Sequence, residues 1–66
     1  MKNYYVNNHA QSNGDHEVHV DGCIYMPLSP KYLGQYASCQ GAVTEAKKTY
    51  LQSNGCKTCC LPCHTT

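Results

Sequence analysis

The first half of the chain alternates hydrophobic and polar residues in the manner of short β-strands. The first such segment is rich in Tyr and Val, which favour strands. An Asn-Gly pair at positions 13 and 14 then readily forms a hairpin turn. In the segment that follows, Val18 and Val20 share one face of a strand, whereas His19 points to the other. The pattern predicts three or four short strands, at residues 2–6, 15–20, 32–36 and, as the optional fourth, 23–26.

The second half of the chain changes to a helical period. Between residues 39 and 51, apolar residues recur three or four positions apart, which is typical of a helix with one buried face. Ser38 is a residue type that caps helix N-termini, and Asn54-Gly55 are types that end helices. The predicted buried stripe comprises Cys39, Ala42, Val43, Ala46 and Tyr50. We therefore predict an α+β fold: a small antiparallel sheet crossed by one helix, about residues 39–51, in a single domain of residues 1–66.

The composition predicts a hydrophobic core too small to stabilise such a domain by itself. The chain has 66 residues but nine Val, Ile and Leu residues in total, and it lacks Phe and Trp. Domains of this size commonly add disulfides or a bound metal to a marginal core. Six cysteines and four histidines supply the side chains for either device.

Charge and hydropathy argue against several classes of protein. The formal net charge is +1, so the domain as a whole has no strong electrostatic attraction to nucleic acid. The longest apolar stretch, residues 23–28, is far too short to span a membrane. The N-terminus lacks the apolar run and the cleavage site of a secretory signal. We therefore expect a monomeric, cytoplasmic protein without a membrane partner, in a compartment that keeps thiols reduced.

The C-terminal segment concentrates cysteines at spacings that suit a metal ion. Cys56-x-x-Cys59 lets a tight loop direct two sulfurs at one centre, and zinc requires four such donors in a tetrahedral arrangement. A second half-site is His19-x-x-x-Cys23. In a continuous strand these two residues would lie about 13 Å apart, so a turn between them must fold the chain back. We predict a C-terminal metal knuckle in which zinc is bound by His19, Cys23, Cys56 and Cys59, with Cys63 or His64 as the alternative fourth ligand.

Two further cysteines have other predicted roles. Cys39 lies on the buried helical stripe, which indicates a core thiol rather than a ligand. Cys60 directly follows Cys59, and two adjacent ligands on one ion would strain the backbone. We therefore predict that Cys60 is a free thiol.

The two half-sites also resemble those of a known family. The order His19-x3-Cys23, a helix, and then Cys56-x2-Cys59 is similar to small zinc modules related to the metal-binding domain of DNA methylphosphotriester repair proteins. Those repair domains use four cysteines, one of which is alkylated. The whole chain also resembles small bacterial Cys/His-rich proteins with a His-Glu-Val-His and Cys-His-Thr frame, a family without a known activity. The resemblance implies a metal site.

Three classes of function remain open at this point. The sequence lacks a persuasive set of acid, base and nucleophile, so the leading interpretation is not an enzyme. It is a noncatalytic zinc-stabilised module that binds a protein or nucleic-acid partner. The even count of six cysteines also permits a disulfide-stapled protein outside the cytoplasm. The third alternative is thiol-based redox or alkyl-acceptor chemistry at Cys56, Cys59 or Cys60.

Overall fold

A computed structural model describes residues 1–65, and in this range the chain forms four strands, one α-helix and a short 3-10 turn. In chain order the elements are β1 (Lys2–Asn7), β2 (His16–Val20), β3 (Pro30–Tyr36), α1 (Cys39–Ala46), β4 (Ser53–Gly55) and the 3-10 turn Leu61–Cys63. The predicted α+β class, with a small sheet, one helix and a cysteine-rich carboxyl end, is confirmed.

The four strands form one mixed sheet in the order β3-β1-β2-β4. β1 pairs antiparallel with β2, where Val6 lies opposite Val18, and it pairs antiparallel with β3 on its other side. β4 pairs parallel with β2, with Gly55 opposite Val18. This pairing differs from the antiparallel sheet that we predicted. The chain returns to β2 by way of β3 and α1, a long crossover of the kind that parallel neighbours require.

Polar side chains hold β4 beside β2. The buried carboxylate of Asp15 accepts hydrogen bonds from Gln52 Nε2 at 2.9 Å and from Asn54 Nδ2 at 3.3 Å. At the carboxyl end of the strand pair, the backbone N–H of Cys56 donates to the carbonyl of Val18 at 2.9 Å. We predicted that residues 54 and 55 end the helix. They instead belong to β4, which places Cys56 beside the end of β2.

The helix is shorter than predicted and ends at Ala46. Its buried residues, Cys39, Ala42 and Ala46, follow the predicted stripe. The N–H of Tyr50 still donates to the Ala46 carbonyl at 2.8 Å, but its ring stacks on His16, with centroids 3.8 Å apart and planes 8° from parallel. Its hydroxyl donates to Asn8 Oδ1 at 2.8 Å. Tyr50 thus contacts β2 and the residue after β1 where we predicted the last turn of the helix.

Two further local predictions differ from the structure. Ser38 occupies the N-cap position with an extended backbone, but within residues 1–65 its side chain makes no capping hydrogen bond. Residues 23–26 are not a strand. They follow a tight turn in which the N–H of Cys23 donates to the carbonyl of Val20 at 3.1 Å, and the N–H of Met26 donates to that of Cys23 at 3.1 Å. Cys23 is therefore folded back toward β2.

The core lies between the sheet and the helix and extends into the carboxyl end. Its buried hydrophobic residues are Tyr4, Val6, Val18, Cys39, Ala42, Ala46, Cys56 and Cys60. The helix packs closely on the sheet at Gly41, where an added Cβ would lie 2.8 Å from the Tyr36 ring. Gly41, which as a helix-interior glycine costs about 1 kcal/mol relative to Ala, thus makes room for an aromatic ring. Two of the eight core residues are free cysteines, so the core depends on the carboxyl end.

Among residues 1–65 there is no helix with the length and apolar character needed to cross a membrane.

Candidate metal centre

Four donor atoms from two distant parts of the chain converge at one end of β2. The ligand atoms of His19, Cys23, Cys56 and Cys59 all lie within 4.8 Å of one another. Cys23 Sγ is 4.0 Å from Cys56 Sγ, and Cys59 Sγ is 3.8 Å from His19 Nδ1. Zn–S bonds of ~2.3 Å and Zn–N bonds of ~2.0 Å place tetrahedral donors roughly 3.5 to 3.8 Å apart. The four atoms are thus close to the spacing that a zinc ion would impose.

The turn after β2 brings His19 and Cys23 closer together than a continuous strand would. Gly22 has a φ of +90°, a left-handed conformation that glycine adopts without steric cost. With the hydrogen bond from Cys23 N–H to Val20, this turn reverses the chain directly after the strand. His19 and Cys23 can therefore share one ion, as the sequence requires if both are ligands.

The other two donors lie on the C-terminal knuckle, which we define as residues 56–63. Cys56 directly follows β4, and the N–H of Cys60 donates to the Cys56 carbonyl at 2.9 Å, closing a tight turn that brings Cys59 back over the strand ends. Gly55 lies directly beneath this turn. A Cβ at Gly55 would be 2.6 Å from the Cys60 carbonyl oxygen and 2.7 Å from Cys63 Cβ. The knuckle therefore packs against backbone at a distance that a side chain would prevent.

Backbone N–H groups face two of the sulfurs. The N–H of Val20 donates to Cys59 Sγ at 3.4 Å, and the N–H of Tyr25 donates to Cys23 Sγ at 3.4 Å. Hydrogen bonds to the charged form of an acid stabilise that form. The donor from Val20 acts on Cys59 in favour of the thiolate, the metal-binding form of cysteine, and opposes the larger effect of burial on its pKa.

Burial shifts the pKa values of His19, Cys59 and the neighbouring Cys60. Burial lowers the pKa of His19, so its imidazole is neutral near pH 7 and keeps a lone pair for a metal. Burial raises the pKa of Cys59, and it also raises the pKa of the neighbouring Cys60 thiol. A buried thiol such as Cys59 retains its proton when no positive charge compensates, and a divalent cation would displace that proton.

The remaining cysteines and the C-terminal histidine have other partners. Cys63 forms a disulfide with Cys39, with a sulfur–sulfur distance of 2.08 Å. His64 Nδ1 lies 3.1 Å from the Gly55 carbonyl oxygen. Cys63 and His64, our alternative fourth ligands, are thus engaged elsewhere. Cys60 is a free thiol, as predicted, and its Sγ lies 3.9 Å from Cys59 Sγ.

The Cys39–Cys63 disulfide is the feature that sequence reasoning missed. We predicted that Cys39 is a core thiol, and it is buried, but it bonds to the knuckle rather than remaining free. The even number of cysteines allowed disulfides in general, but the choice of this pair depends on α1 lying beside the 3-10 turn. That placement is a tertiary contact that local patterns do not contain.

The site combines a neutral histidine and three cysteines, which is a ligand set typical of structural zinc. The cluster can therefore hold a metal ion such as zinc, in addition to the disulfide. Comparisons with protein-family models, with curated proteins and with solved structures find no match to this chain, so its resemblance to the DNA methylphosphotriester repair domain stays a prediction.

Proposed function

We propose that this protein is a small noncatalytic domain stabilised by one zinc ion, and that it acts by binding a protein or nucleic-acid partner. The observation that carries the proposal is the convergence of His19, Cys23, Cys56 and Cys59 within 4.8 Å. His19 lies in β2 and Cys23 in the turn that follows it, and the other two donors come from the knuckle. One ion at this point would join segments more than thirty residues apart in the chain.

The energetic argument supports a structural role for the ion. Binding of structural zinc contributes roughly 10 to 16 kcal/mol in small finger domains, which is comparable to the whole stability of an ordinary domain. Here the knuckle contributes Cys56 and Cys60 to the core, whereas its Leu61 side chain is exposed. Apolar packing therefore attaches the knuckle only weakly, and metal coordination would add a second attachment to the Cys39–Cys63 disulfide.

The ligand set also supports a noncatalytic role. Four protein donors complete a tetrahedral shell, whereas catalytic zinc sites keep one position for water or substrate. Ile24 and Leu28, which follow Cys23 in the chain, are large exposed side chains that offer a contact surface for a partner. A net charge of +1 favours a protein over a nucleic acid as that partner.

The cysteine oxidation states support a second candidate. The Cys39–Cys63 disulfide is typical of proteins outside the cytoplasm, and the 4.0 Å between Cys23 Sγ and Cys56 Sγ would allow that pair to oxidise as well. The second candidate is a disulfide-stapled protein without a metal. A cytoplasmic location agrees with four free thiols and stays a prediction.

Native mass spectrometry with and without a chelator separates these candidates. The zinc domain should carry one metal ion and one disulfide, and chelation should remove the ion. The dispersed NMR signals of the folded domain should then broaden. The disulfide candidate instead predicts a metal-free chain that has lost four or six hydrogen atoms. A chelated protein with four reduced thiols and an unchanged NMR spectrum would overturn the zinc proposal.

Two adjacent cysteines provide a matched pair of variants for this experiment. Cys59→Ser removes a proposed ligand, and we expect it to lose stoichiometric metal. Cys60→Ser changes a free cysteine that is 1% exposed and lies outside the group of four donors, and we expect it to keep one ion. Equal metal loss in both variants would show that the four residues are not the ligand set.

The partner is tested with the metal-loaded domain labelled for NMR. Titration with single- and double-stranded oligonucleotides of mixed sequence at physiological salt should leave the spectrum unchanged if the partner is a protein. Specific shifts that saturate would identify nucleic acid as the partner. In that case the proposal that the partner is a protein is wrong.

A further inference from the structure

The two ring nitrogens of His19 face different groups. Nδ1 lies 3.8 Å from Cys59 Sγ and so points into the donor cluster. Nε2 points the other way and lies 3.5 Å from Glu17 Oε1. The residues are two apart on β2, so their side chains lie on the same face of the strand. The ring therefore stands between the donor cluster and a carboxylate.

We propose that Glu17 is a positioning residue of the metal centre, an inference that rests on the proposed zinc site. Its carboxylate oxygen lies 3.5 Å from Nε2, where its negative charge attracts a proton on that nitrogen and so favours the tautomer whose Nδ1 lone pair is free. Nδ1 is then the ligand atom. Glu17 does not itself bind the ion.

Because His19 is buried, its tautomer determines which ring nitrogen can bind the metal. A neutral imidazole carries one proton, and the nitrogen that holds it cannot coordinate a metal. The His19 side chain is 1% exposed, so bulk water does not provide a ready acceptor for Nε2–H. Glu17 is 24% exposed and keeps contact with solvent, which limits the cost of its charge. A carboxylate in this position orients the ring and makes Nδ1 a stronger base toward the metal.

The surroundings of Glu17 allow it to be changed without removing core packing. Its side chain lines a shallow cavity open to solvent, together with Cys56 and Lys57. Glu17→Ala therefore deletes the carboxylate at the edge of the site, and Glu17→Gln keeps an acceptor oxygen of the same size. Glu45 is the matched control, because it is a glutamate on α1 that pairs with Lys48 at 3.1 Å. Glu45→Gln removes a carboxylate outside the group of donors.

The experiment measures zinc affinity by competition with a chromophoric chelator and reads the His19 tautomer by 15N NMR of the protein loaded with 113Cd. We expect cadmium coupling to Nδ1 and a slowly exchanging proton on Nε2 in the wild-type protein. Glu17→Ala should bind zinc 10- to 100-fold more weakly and lose the slow exchange of that proton. Glu17→Gln should recover part of the affinity, and Glu45→Gln should match the wild type.

Two results would overturn the assignment while leaving the zinc site intact. One is cadmium coupling to Nε2 instead of Nδ1. The other is a Glu17→Ala variant that binds zinc as tightly as the wild type, with Nε2–H exchange unchanged. A wild-type protein that binds neither zinc nor cadmium would overturn the proposed function and this inference together, so the two failures can be told apart.

Discussion

Gly55→Ala is the substitution that tests most directly how the fold supports the site. Gly55 ends β4 and precedes Cys56, and its φ is not in the positive range, so an L-residue can adopt its backbone conformation. The structure has no room for the alanine side chain at this position. The new Cβ would lie 2.6 Å from the Cys60 carbonyl oxygen and 2.7 Å from Cys63 Cβ. Neither atom belongs to a side chain that can rotate away, because one is backbone and Cys63 is bonded to Cys39.

The size of the effect follows from these distances. Non-bonded carbon atoms pack best at roughly 3.5 to 4.0 Å, so the knuckle must move away by roughly 1 Å. Overpacking of this kind costs about 1 to 3 kcal/mol. Without metal, Cys56 and Cys59 need not hold a common position, so the turn before the disulfide-bonded Cys63 can relax. With metal, Cys56 and Cys59 must both reach the ion, so the cost falls on the bound state and corresponds to roughly 5- to 150-fold weaker zinc binding.

The assay combines chelator competition for zinc affinity with urea unfolding of the zinc-loaded and zinc-free protein. Gly55→Ala should weaken zinc binding and lower the urea midpoint more with zinc than without it. Gly41→Ala is the control, because its Cβ would crowd the Tyr36 ring at 2.8 Å on the helix, away from the four donors. That variant should leave zinc affinity within about twofold of the wild type. A Gly55→Ala protein with wild-type zinc affinity would refute the close packing of the knuckle.

Two further predictions concern protons and the disulfide. Burial lowers the pKa of His19, so at neutral pH its proton is already absent, whereas burial raises the pKa of Cys59 and a metal must displace its thiol proton. Because a metal must displace at least this one proton, zinc affinity measured by competition should rise by at least about tenfold per pH unit below the Cys59 pKa. An affinity that does not change between pH 6 and 8 would contradict thiolate ligation. The double variant Cys39→Ser/Cys63→Ser opens a loop with a sequence separation of 24 and should lose about 3 kcal/mol of unfolding free energy in urea while still binding one zinc ion. Loss of zinc binding in that double variant would show that the disulfide is needed to form the site.

Local sequence patterns predicted the elements whose partners are close in the chain. The alternation of Val18 and His19 marked β2, and the stripe beginning at Cys39 marked the start of α1. The helix end could not be predicted, because Tyr50 fits the helical period but contacts His16 in β2 and Asn8 just after β1. Tertiary contacts of this kind override a periodic signal.

The candidate site divides in the same way. Cysteine spacing identified Cys56 and Cys59, and a two-residue turn made the pairing of His19 with Cys23 geometrically possible. The strand that brings these halves together is the polar segment Ser53–Gly55, which has no intrinsic preference for a strand. Its place beside β2 depends on the buried carboxylate of Asp15, so the convergence of the four donors could not be calculated from spacing alone.

Sulfur chemistry can attach the knuckle to the rest of the domain at two separate places. The disulfide joins Cys63 to the start of α1, and a metal ion held by the four-donor group would join Cys56 and Cys59 to His19 in β2 and to Cys23. Leu61 is exposed, so apolar packing of the knuckle comes chiefly from cysteine side chains. Both attachments are made by cysteine sulfurs, so a change in either disulfide bonding or metal coordination would affect the same part of the core. The stability of this domain should therefore depend on metal supply and redox conditions more strongly than on the size of its hydrophobic core.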